Sequence, residues 1–377
     1  MSQSPDIIIV GAGIVGAACA MECARGGLKT LVLDCGPIGG GTTAAGMGHI
    51  VVMDDSDAQF ALTSYSRRLW IEQRPHLPRE VEYENAGTLW VAADDEEMAE
   101  VQRKQTFYEA RNVRVEVLDA AGVIKAEPNL RPGLAGGLVV PDDAVVYQPC
   151  AARFFLDQAK TYGAEVSLGV TVKQLLPEGG VEMADGSRLA AGRSVSATGP
   201  WSPALTPGLP VRKRKGHLVI TDRAPRFVHH QIVELGYLKS AHSMEKDSVA
   251  FNIQPRATGQ MLIGSSRQFD AKDTAVDHAI LNRMLQRALE YLPGLRNLSA
   301  IRAWTGHRAA TPDKLPIIGP SIVSDRIWLA TGHEGLGITT SLGTGRLLAD
   351  LLLNHPTAIP AAPFSPARFA NGDSHHE

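Results

Sequence analysis

Three glycines near the N-terminus stand at a spacing that suits the binding of phosphate groups. Gly11, Gly13 and Gly16 follow the apolar run 6–10, which predicts a buried strand, and residues 17–25 predict a helix. In such a turn the first glycine allows the sharp bend, the second lets the backbone approach a pyrophosphate, and the third lets helix and strand pack closely. The amides and the positive dipole end of the helix attract phosphates. The pattern therefore indicates dinucleotide binding.

An acidic residue follows at the distance that a ribose-binding carboxylate requires. The second predicted strand, residues 30–34, ends at Asp34, and Cys35 comes directly after it. A carboxylate about 20 residues beyond the glycines accepts hydrogen bonds from a ribose diol and disfavours a 2′-phosphate. FAD and NAD therefore fit this unit better than NADP.

A second segment of small residues separates these two cofactors. Residues 39–49 are mainly glycine, alanine and threonine, and they predict a further turn or helix start. An extended FAD needs additional backbone and hydroxyl donors along its phosphates and ribityl chain, whereas a nicotinamide cofactor does not. The segment therefore favours FAD, with a flexible surface loop as the alternative.

Another glycine-rich turn lies near the C-terminus. After the predicted strand 327–331, residues 332–338 lead into a helix predicted over residues 339–353. Because a helix N-terminus carries partial positive charge, this turn is a second candidate for contact with the cofactor. A simple helix cap is the alternative.

Composition limits the class of protein to which these motifs belong. The chain has 377 residues, 44% apolar and 20% charged, with a formal net charge of −3, which excludes a disordered chain and disfavours nucleic-acid binding. Its length predicts two domains or one large α/β unit. The four cysteines show no metal-ligand spacing, and Cys19 and Cys23 fit buried thiols. Without a signal-peptide pattern or an apolar run of about 18 residues, we expect a cytoplasmic protein with no membrane span.

Together with the block Trp304–Pro320, these motifs resemble the D-amino-acid oxidase (DAO) family of FAD-dependent oxidoreductases. The resemblance is to the branch that contains glycine oxidase, sarcosine oxidase and the D-hydroxyproline dehydrogenase β-subunits, and it covers nearly the whole chain. Residues 43–55 look most like the hydroxyproline dehydrogenase and hydrogen cyanide synthase subunits. The resemblance implies an α/β fold, with a Rossmann-like FAD-binding domain of the glutathione-reductase type and a substrate domain with a largely antiparallel sheet.

The same resemblance and the predicted elements divide the chain into two discontinuous domains. We expect an FAD-binding domain from residues 1–86, 147–210 and 302–365, a substrate domain from residues 87–146 and 211–301, and a mobile tail from residues 366–377. Helices are predicted over residues 57–74, 95–111, 150–162 and 275–291, a strand over 87–92, a hairpin or two short strands within 136–146, and a hairpin turn at 185–186.

The basic run 212–215 predicts a solvated strand edge; steering of an anionic substrate or docking of a partner is the alternative.

The motifs and the resemblance imply a set of cofactor residues in the glycine turns and the small-residue segment. The resemblance adds a strand around Val172, which in the family lies against the adenine, and the turn at residues 197–199, which closes the FAD site. The full set is Gly11, Gly13, Ile14, Val15, Gly16, Asp34, Cys35, Gly41, Thr42, Thr43, Ala45, Gly46, Met47, Gly48, His49, Val172, Ala197, Thr198, Gly199, Trp201, Gly306, Arg308, Gly332, His333, Gly335, Leu336, Gly337 and Ile338.

Arg308 is the candidate for binding the substrate, because a guanidinium holds a carboxylate through two parallel hydrogen bonds. It matches the position of the family's carboxylate-binding arginine, which follows a strand in the context G-x-R-x-x-T-x-D; a structural salt bridge to Asp313 or to a neighbouring residue is the alternative. Family members often have Leu-Arg-Pro-Gly there, and this chain departs from that pattern. Met47 and His49 match positions near the flavin's reactive face and are candidates for lining the substrate pocket. Tyr237, His242 and Glu334 could meet the substrate's amine or ring hydroxyl, with an ordinary surface or core residue as the alternative for each. No catalytic acid or base is identified, and a covalent bond between His49 and the flavin stays open.

The activity that the resemblance implies is oxidation of a small amino or imino acid, D-hydroxyproline-like, to the imine by hydride transfer to flavin N5. Electrons would pass to an acceptor other than NAD, through partner subunits, with peripheral membrane association through those partners as an option. Alternatives are a hydrogen cyanide synthase subunit, a glycine or sarcosine oxidase, and a non-catalytic flavin-bearing subunit of an electron-transfer complex.

Overall fold

The first strand, turn and helix form largely as the sequence predicts. In the computed structural model, which describes residues 4–236, 247–269, 271 and 273–370, the strand Ile7–Val10 leads through the glycine turn into the helix Ile14–Arg25. The helix begins earlier than predicted because Gly13 is extended and takes the N-cap position, so that Gly16 lies in the first turn. The strand Thr30–Asp34 has the predicted bounds.

The strands and helices of the described residues are numbered here in chain order. The strands are β1 (Ile7–Val10), β2 (Thr30–Asp34), β3 (His49–Ile50), β4 (Thr88–Ala92), β5 (Glu116–Asp119), β6 (Gly136–Val140), β7 (Ala144–Val145), β8 (Glu165–Leu168), β9 (Val172–Leu175), β10 (Val181–Met183), β11 (Arg188–Leu189), β12 (Arg193–Ser196), β13 (Arg212–Thr221), β14 (Gln231–Glu234), β15 (Asp247–Pro255), β16 (Met261–Phe269), β17 (Ala300–Ala310), β18 (Ile317–Pro320) and β19 (Ile327–Thr331). The helices are α1 (Ile14–Arg25), α2 (Asp57–Gln73), α3 (Asp95–Glu109), α4 (Ala120–Ala126), α5 (Gln148–Thr161), α6 (Ser202–Leu205), α7 (His278–Tyr291) and α8 (Gly337–Leu352).

A six-stranded sheet carries the glycine turn. Its order is β18-β19-β12-β1-β2-β8, and all neighbours are parallel except β18 and β19. Helix α1 packs against α5 and α8, and a Cβ atom on Gly345 of α8 would lie 2.6 Å from the carbonyl oxygen of Ala18 in α1. Because the carboxyl ends of β1, β2 and β12 share one edge, the turns that follow them open onto the same crevice.

An eight-stranded sheet forms the second layer and confirms the predicted antiparallel sheet. Its order is β17-β13-β16-β15-β14-β4-β6-β5, with β14 and β4 as the parallel pair. Helix α7 covers one face, where the rings of Phe251 and Tyr291 stack with centroids 4.7 Å apart. The helix starts at His278, later than predicted, because the side chain of Asp277 accepts hydrogen bonds from the amides of Ala279 and Ile280.

The expectation of a solvated strand edge for the basic run is wrong. Residues 212–215 begin β13, which pairs with β17 on one side and β16 on the other. Arg214 and Lys215 are buried; Arg214 forms an ion pair with Glu334 at 2.7 Å and Lys215 forms one with Asp273 at 2.7 Å. These two charges are therefore engaged inside the protein.

The two short strands predicted within residues 136–146 form, but not as a hairpin with each other. β6 pairs with β4 and β5 in the eight-stranded sheet, whereas β7 pairs with β3 in a separate two-stranded sheet. The chain thus changes sheets between Val140 and Ala144. By contrast, the predicted hairpin turn at residues 185–186 does join the antiparallel strands β10 and β11.

The other predicted elements differ from the structure mainly at their ends. α5 begins at Gln148 because Pro149 fits the first helical turn. Strand β17 is hydrogen bonded in the eight-stranded sheet, although its residues from 302 on were expected in the FAD-binding domain. Pro366–Phe369, expected in the mobile tail, form a 3₁₀ turn. The division into domains stays a proposal.

Cys19 and Cys23 are buried free thiols, as predicted, whereas Cys35 is exposed. No helix within the described ranges is long and apolar enough to span a membrane.

A buried ion pair holds the two-stranded sheet of β3 and β7 in place. Arg67 of α2 donates to Asp143 at 2.8 Å, and the hydroxyl of Thr88 in β4 donates to the other carboxylate oxygen at 2.7 Å. Asp143 lies directly before β7, which pairs with His49–Ile50 of β3. This carboxylate therefore joins helix α2, the eight-stranded sheet and strand β7, and β7 pairs with the strand that carries His49.

Replacing Arg67 by methionine should destabilise the protein strongly, because the Asp143 carboxylate would stay buried without its cation. Breaking one partner of such a pair typically costs about 3–5 kcal/mol. Chemical denaturation of Arg67→Met and of Arg68→Met, an exposed neighbour on the same helix, measures the difference. Equal midpoints for the two variants would contradict this role of the ion pair.

Candidate active site

A cavity of about 630 Å³ lies between the carboxyl edge of the six-stranded sheet and the open face of the eight-stranded sheet. One end is lined by the turns after β1, β2 and β12, and the other by residues of β13, β15, β16 and β17. Ligand sites of this volume accommodate a cofactor or a substrate. The position, outside the carboxyl ends of parallel strands, is where α/β sheets bind nucleotides.

Two glycines of the turn, Gly11 and Gly16, leave no room for a side chain. Gly11 has φ +116, and a Cβ atom there would lie 2.5 Å from the carbonyl oxygen of Ala197. A Cβ atom on Gly16 would lie 1.9 Å from the carbonyl oxygen of Gly11, so Gly16 serves the packing of α1 on the turn and does not line the cavity. The backbone of the turn consequently faces the cavity directly.

The segment 39–49 is tied to both halves of the site. Thr43 accepts a hydrogen bond from the amide of Ile14 at 3.0 Å, at the N-terminus of α1, and Thr42 donates to the carbonyl of His307 in β17 at 2.7 Å. The amide of Gly39 donates to the carbonyl of Ala12 at 2.9 Å. These hydrogen bonds fix segment 39–49 against the glycine turn, so it is not a flexible surface loop.

Asp34 does more than the sequence predicts. One carboxylate oxygen accepts the amide of Ala12 at 2.6 Å and the other accepts the amide of Gly36 at 2.7 Å. Each oxygen keeps a further lone pair for a ribose hydroxyl, and Asp34 lines the cavity. The carboxylate therefore holds the two turns together as well as facing a nucleotide site.

The residues present fit FAD. The first-turn amides of an α-helix have no intrahelical acceptor, and Gly13, Ile14 and Val15 of the α1 start line the cavity beside a hydroxyl-rich segment. The N-terminus of α8 at Gly337 opens onto the same cavity. Two helix N-termini and a carboxylate at the end of β2 match an anionic pyrophosphate, a ribose and a ring that becomes anionic when it is reduced, all in one extended ligand.

Arg308 lies at the other end of the cavity, within strand β17 and not after it. Its guanidinium donates to the carbonyl of Ser266 at 3.0 Å, and it covers Gly216 of β13, where a Cβ atom would lie 2.5 Å from Nη1. Asp313, the alternative ion-pair partner, pairs with Arg368 at 2.6 Å instead. The Arg308 guanidinium therefore faces the cavity across a strand that leaves room for it.

Glu334 lines the cavity beside Arg308. Its carboxylate accepts from Arg214 at 2.7 Å and from the amide of Gly335 at 2.8 Å. Burial opposes ionisation, but the guanidinium groups of Arg214, Arg308 and Arg267 outweigh it and lower the pKa of Glu334 to about 2. Glu334 is therefore a fixed negative charge within a cationic pocket.

The two histidines predicted at the site are neutral. Burial lowers the pKa of His333 to about 3, and its Nε2 lies 3.0 Å from the hydroxyl of Thr344 in α8. Burial, with a smaller contribution from the Arg308 charge, lowers the pKa of His49 to about 4. The Nε2 atom of His49 is buried and has no hydrogen-bond partner among the described residues, so it offers an uncharged polar atom to a ligand.

The structure brings nearly all of the predicted residues together. Those that line the cavity are Gly11, Gly13, Ile14, Val15, Asp34, Cys35, Gly41, Thr42, Thr43, Ala45, Gly46, Met47, Gly48, His49, Val172, Ala197, Thr198, Gly199, Trp201, Gly306, Arg308, His333, Glu334, Gly335, Gly337 and Ile338. Gly16, Gly332 and Leu336 are absent from its wall. Tyr237 and His242 lie outside the described residues.

Many lining residues that the sequence analysis missed are neighbours of predicted ones, whereas those of β13, β15 and β16 form a separate part of the cavity wall. Gly216, Leu218, Asn252 and Ser265 line the cavity, yet they occur in strands without a recognisable motif. Gly216 alone carries a signal, since a glycine inside a strand often marks the close approach of another group. The others face the cavity because of strand pairing that the sequence does not display.

The parallel sheet with its glycine turn, and the cavity beside it, are those of a nucleotide-binding α/β protein. The model of the FAD dependent oxidoreductase family (DAO) matches residues 6–351. The chain therefore belongs to this family, and it is an enzyme with FAD as its cofactor.

Individual relatives are similar over most of their length. Hydrogen cyanide synthase subunit HcnC of Pseudomonas aeruginosa is 28% identical, over 98% of this chain and 97% of the relative. D-amino acid dehydrogenase of Xanthobacter autotrophicus is 31% identical, over 82% of this chain and 73% of the relative. The crystal structure of glycine oxidase from Geobacillus kaustophilus superposes with a TM-score of 0.88 at 25% identity, covering 97% of this chain and 99% of that one.

A side chain at Gly13 should abolish cofactor retention without unfolding the protein. A Cβ atom there would already lie 3.3 Å from the Thr43 hydroxyl, so the valine of Gly13→Val must extend into the space beside the α1 amides. We expect purified Gly13→Val protein to keep its circular dichroism spectrum and to lack flavin absorption. Full flavin content in the folded variant would mean that the turn is structural only.

Proposed function

We propose that the protein oxidises a small amino or imino acid to the corresponding imine and passes the electrons to an acceptor other than NAD. Three observations support this: the family, the names of the glycine oxidase and D-amino acid dehydrogenase relatives, and an arginine beside the cofactor cavity. The proposal extends to D-hydroxyproline or a close relative as substrate.

The single observation that carries the proposal is the position of Arg308. Its guanidinium is held by the Ser266 carbonyl and lies over Gly216, in the same cavity as the two helix N-termini. A guanidinium held in this way can bind a carboxylate through two hydrogen bonds and so orient the adjacent carbon. The acid group of an amino acid is the substrate feature that this arrangement favours.

The chain's own residues orient the substrate and control charge. FAD, when bound, supplies the oxidising chemistry. Arg308 fixes the carboxylate. Met47 and Leu218 line this end of the cavity and pack with Leu262 behind them, so that they form an apolar wall beside the guanidinium. His49 is neutral at physiological pH, so it does not add a positive charge that would repel a cationic amine.

The choice of D-hydroxyproline and of partner subunits rests on two sequence features. Residues 43–55 resemble the hydroxyproline dehydrogenase subunits, and the four cysteines of the sequence form no cluster that could hold an iron–sulfur centre. An onward electron carrier of that kind would therefore belong to another polypeptide.

A second candidate is a glycine-oxidising subunit of the hydrogen cyanide synthase type. The similarity to HcnC over nearly the full length of both chains favours it. Both candidates bind an amino acid carboxylate, and they differ in substrate size. Rates with glycine and with D-hydroxyproline therefore separate them.

The acceptor is tested by comparing oxygen with an artificial dye. For a dehydrogenase with partner subunits, we expect rapid reduction of the dye by the amino acid and slow turnover when oxygen is the sole acceptor. Steady-state rates with D-hydroxyproline, D-proline, glycine and their L-enantiomers, where these exist, give both the acceptor and the substrate. Turnover with oxygen as fast as with dye would indicate an oxidase.

Arg308→Ala should lower kcat/KM for the amino acid by a factor of at least ~100. Each charged hydrogen bond contributes about 1.5–3 kcal/mol, and a tenfold change corresponds to about 1.4 kcal/mol. Arg308→Lys keeps the positive charge but loses the two parallel hydrogen bonds, so its kcat/KM should fall between those of Arg308→Ala and the wild type. Arg302→Ala, an exposed arginine on the same strand, is the matched control and should retain wild-type kinetics. Unchanged kcat/KM in both Arg308 variants would show that Arg308 is structural.

A further inference from the structure

A second charged group in the cavity lacks a role in the proposed function. Glu334 lies next to Arg308, and only 19% of its side chain is exposed. A buried carboxylate is costly unless other groups stabilise its charge. Its oxygens are held by Arg214 and by the amide of Gly335, one each, which leaves acceptor capacity on both oxygens.

The backbone fixes this carboxylate in place. Glu334 has φ +47, in the left-handed region that non-glycine residues rarely occupy, and its amide donates to the carbonyl of Ala309 at 2.9 Å. Ala309 follows Arg308 directly in β17. The bridge between Ala309 and Glu334 therefore couples the position of the carboxylate to that of the guanidinium.

Four cations surround Glu334 on the elements packed against it. Arg214 comes from β13, Arg267 from β16, Arg308 from β17 and Lys314 from the segment before β18. With this surrounding charge, Glu334 remains a carboxylate at every pH where the protein is expected to work, and it is not a proton acceptor. What it offers a ligand is a fixed negative pole beside a fixed positive one.

An amino acid presents the complementary pair of groups. Its carboxylate and its amine are attached to the same carbon, so a site with a guanidinium and a carboxylate side by side matches both. We infer that Glu334 accepts a hydrogen bond from the substrate's amino group while Arg308 binds its carboxylate, and that Arg214 is a positioning residue for Glu334. This inference rests on the proposed function, and it restricts the substrates to carboxylates whose neighbouring nitrogen carries an N–H.

The role of Glu334 has a consequence for pH that a structural carboxylate would lack. A neighbouring negative charge favours the cationic form of the bound amine and raises its pKa, whereas oxidation needs the neutral amine. Glu334→Gln should therefore raise KM and, at the same time, move the acid limb of the kcat profile to lower pH. The kcat profile is the relevant one because it reports groups in the enzyme–substrate complex.

Binding of two probes to the flavin-loaded protein separates the amine from the carboxylate. D-Proline carries both groups, and cyclopentanecarboxylate has the same ring size and acid group without the nitrogen. The flavin is first reduced with dithionite under anaerobic conditions, so that D-proline binds without being oxidised. Calorimetry on this reduced protein should show at least ~10-fold weaker D-proline binding by Glu334→Gln, with cyclopentanecarboxylate binding unchanged or tighter. Arg308→Ala should weaken both probes. Glu182→Gln, an ionised glutamate paired with surface cations, is the control and should bind both as wild type does.

Arg214→Lys provides a second variant if Glu334→Gln does not fold, and it should weaken D-proline selectively by loosening the carboxylate. Equal losses for the two probes, or no loss for either, would overturn the role of Glu334. The proposed function fails separately: if no amino acid reduces the wild-type flavin, the activity is wrong and the present inference falls with it. If amino acids do reduce it and Glu334→Gln keeps D-proline affinity and the wild-type pH profile, only the role of Glu334 is wrong.

Discussion

The close approach of helix α1 to the turn that precedes it is the constraint on which the rest of the site depends. Gly16 has no side chain, so the carbonyl of Gly11 can lie where a Cβ atom would otherwise be. This contact sets the start of α1 and thereby the position of the Ile14 amide. That amide donates a hydrogen bond to the Thr43 hydroxyl. The small-residue segment, and through Thr42 the strand β17, are placed relative to that same helix end.

A corresponding close approach organises the end of the cavity where we propose that the substrate binds. The Arg308 guanidinium lies across β13 because Gly216 leaves the space free, and the Ser266 carbonyl fixes its direction. The bridge between Ala309 and Glu334 then brings a carboxylate beside it from the turn before α8. That turn also opens onto the cofactor cavity. One short segment, residues 332–338, therefore carries both the Glu334 carboxylate and the N-terminus of α8, which we expect to face the flavin.

The nucleotide end could be predicted from the sequence because its requirements are local. Gly11, Gly13, Gly16 and Asp34 lie within one strand–helix–strand unit, and each has a role that a spacing can express. The substrate end depends on pairing between distant strands, so Asn252 and Ser265 carry no signal. The prediction for the basic run 212–215 was wrong for the same reason. Four consecutive cations indicate a solvated strand edge, whereas pairing with both β16 and β17 buries Arg214 and Lys215.

We propose that one cavity holds FAD and an amino acid together, with no further component needed for the first electron transfer. The visible absorption of the purified wild-type protein, mixed anaerobically with one amino acid after another, tests this most directly. We expect a yellow protein whose flavin absorption is bleached by a small amino or imino acid and is not bleached by the carboxylic acid that lacks the nitrogen. A flavin-loaded protein that no amino acid bleaches would contradict it.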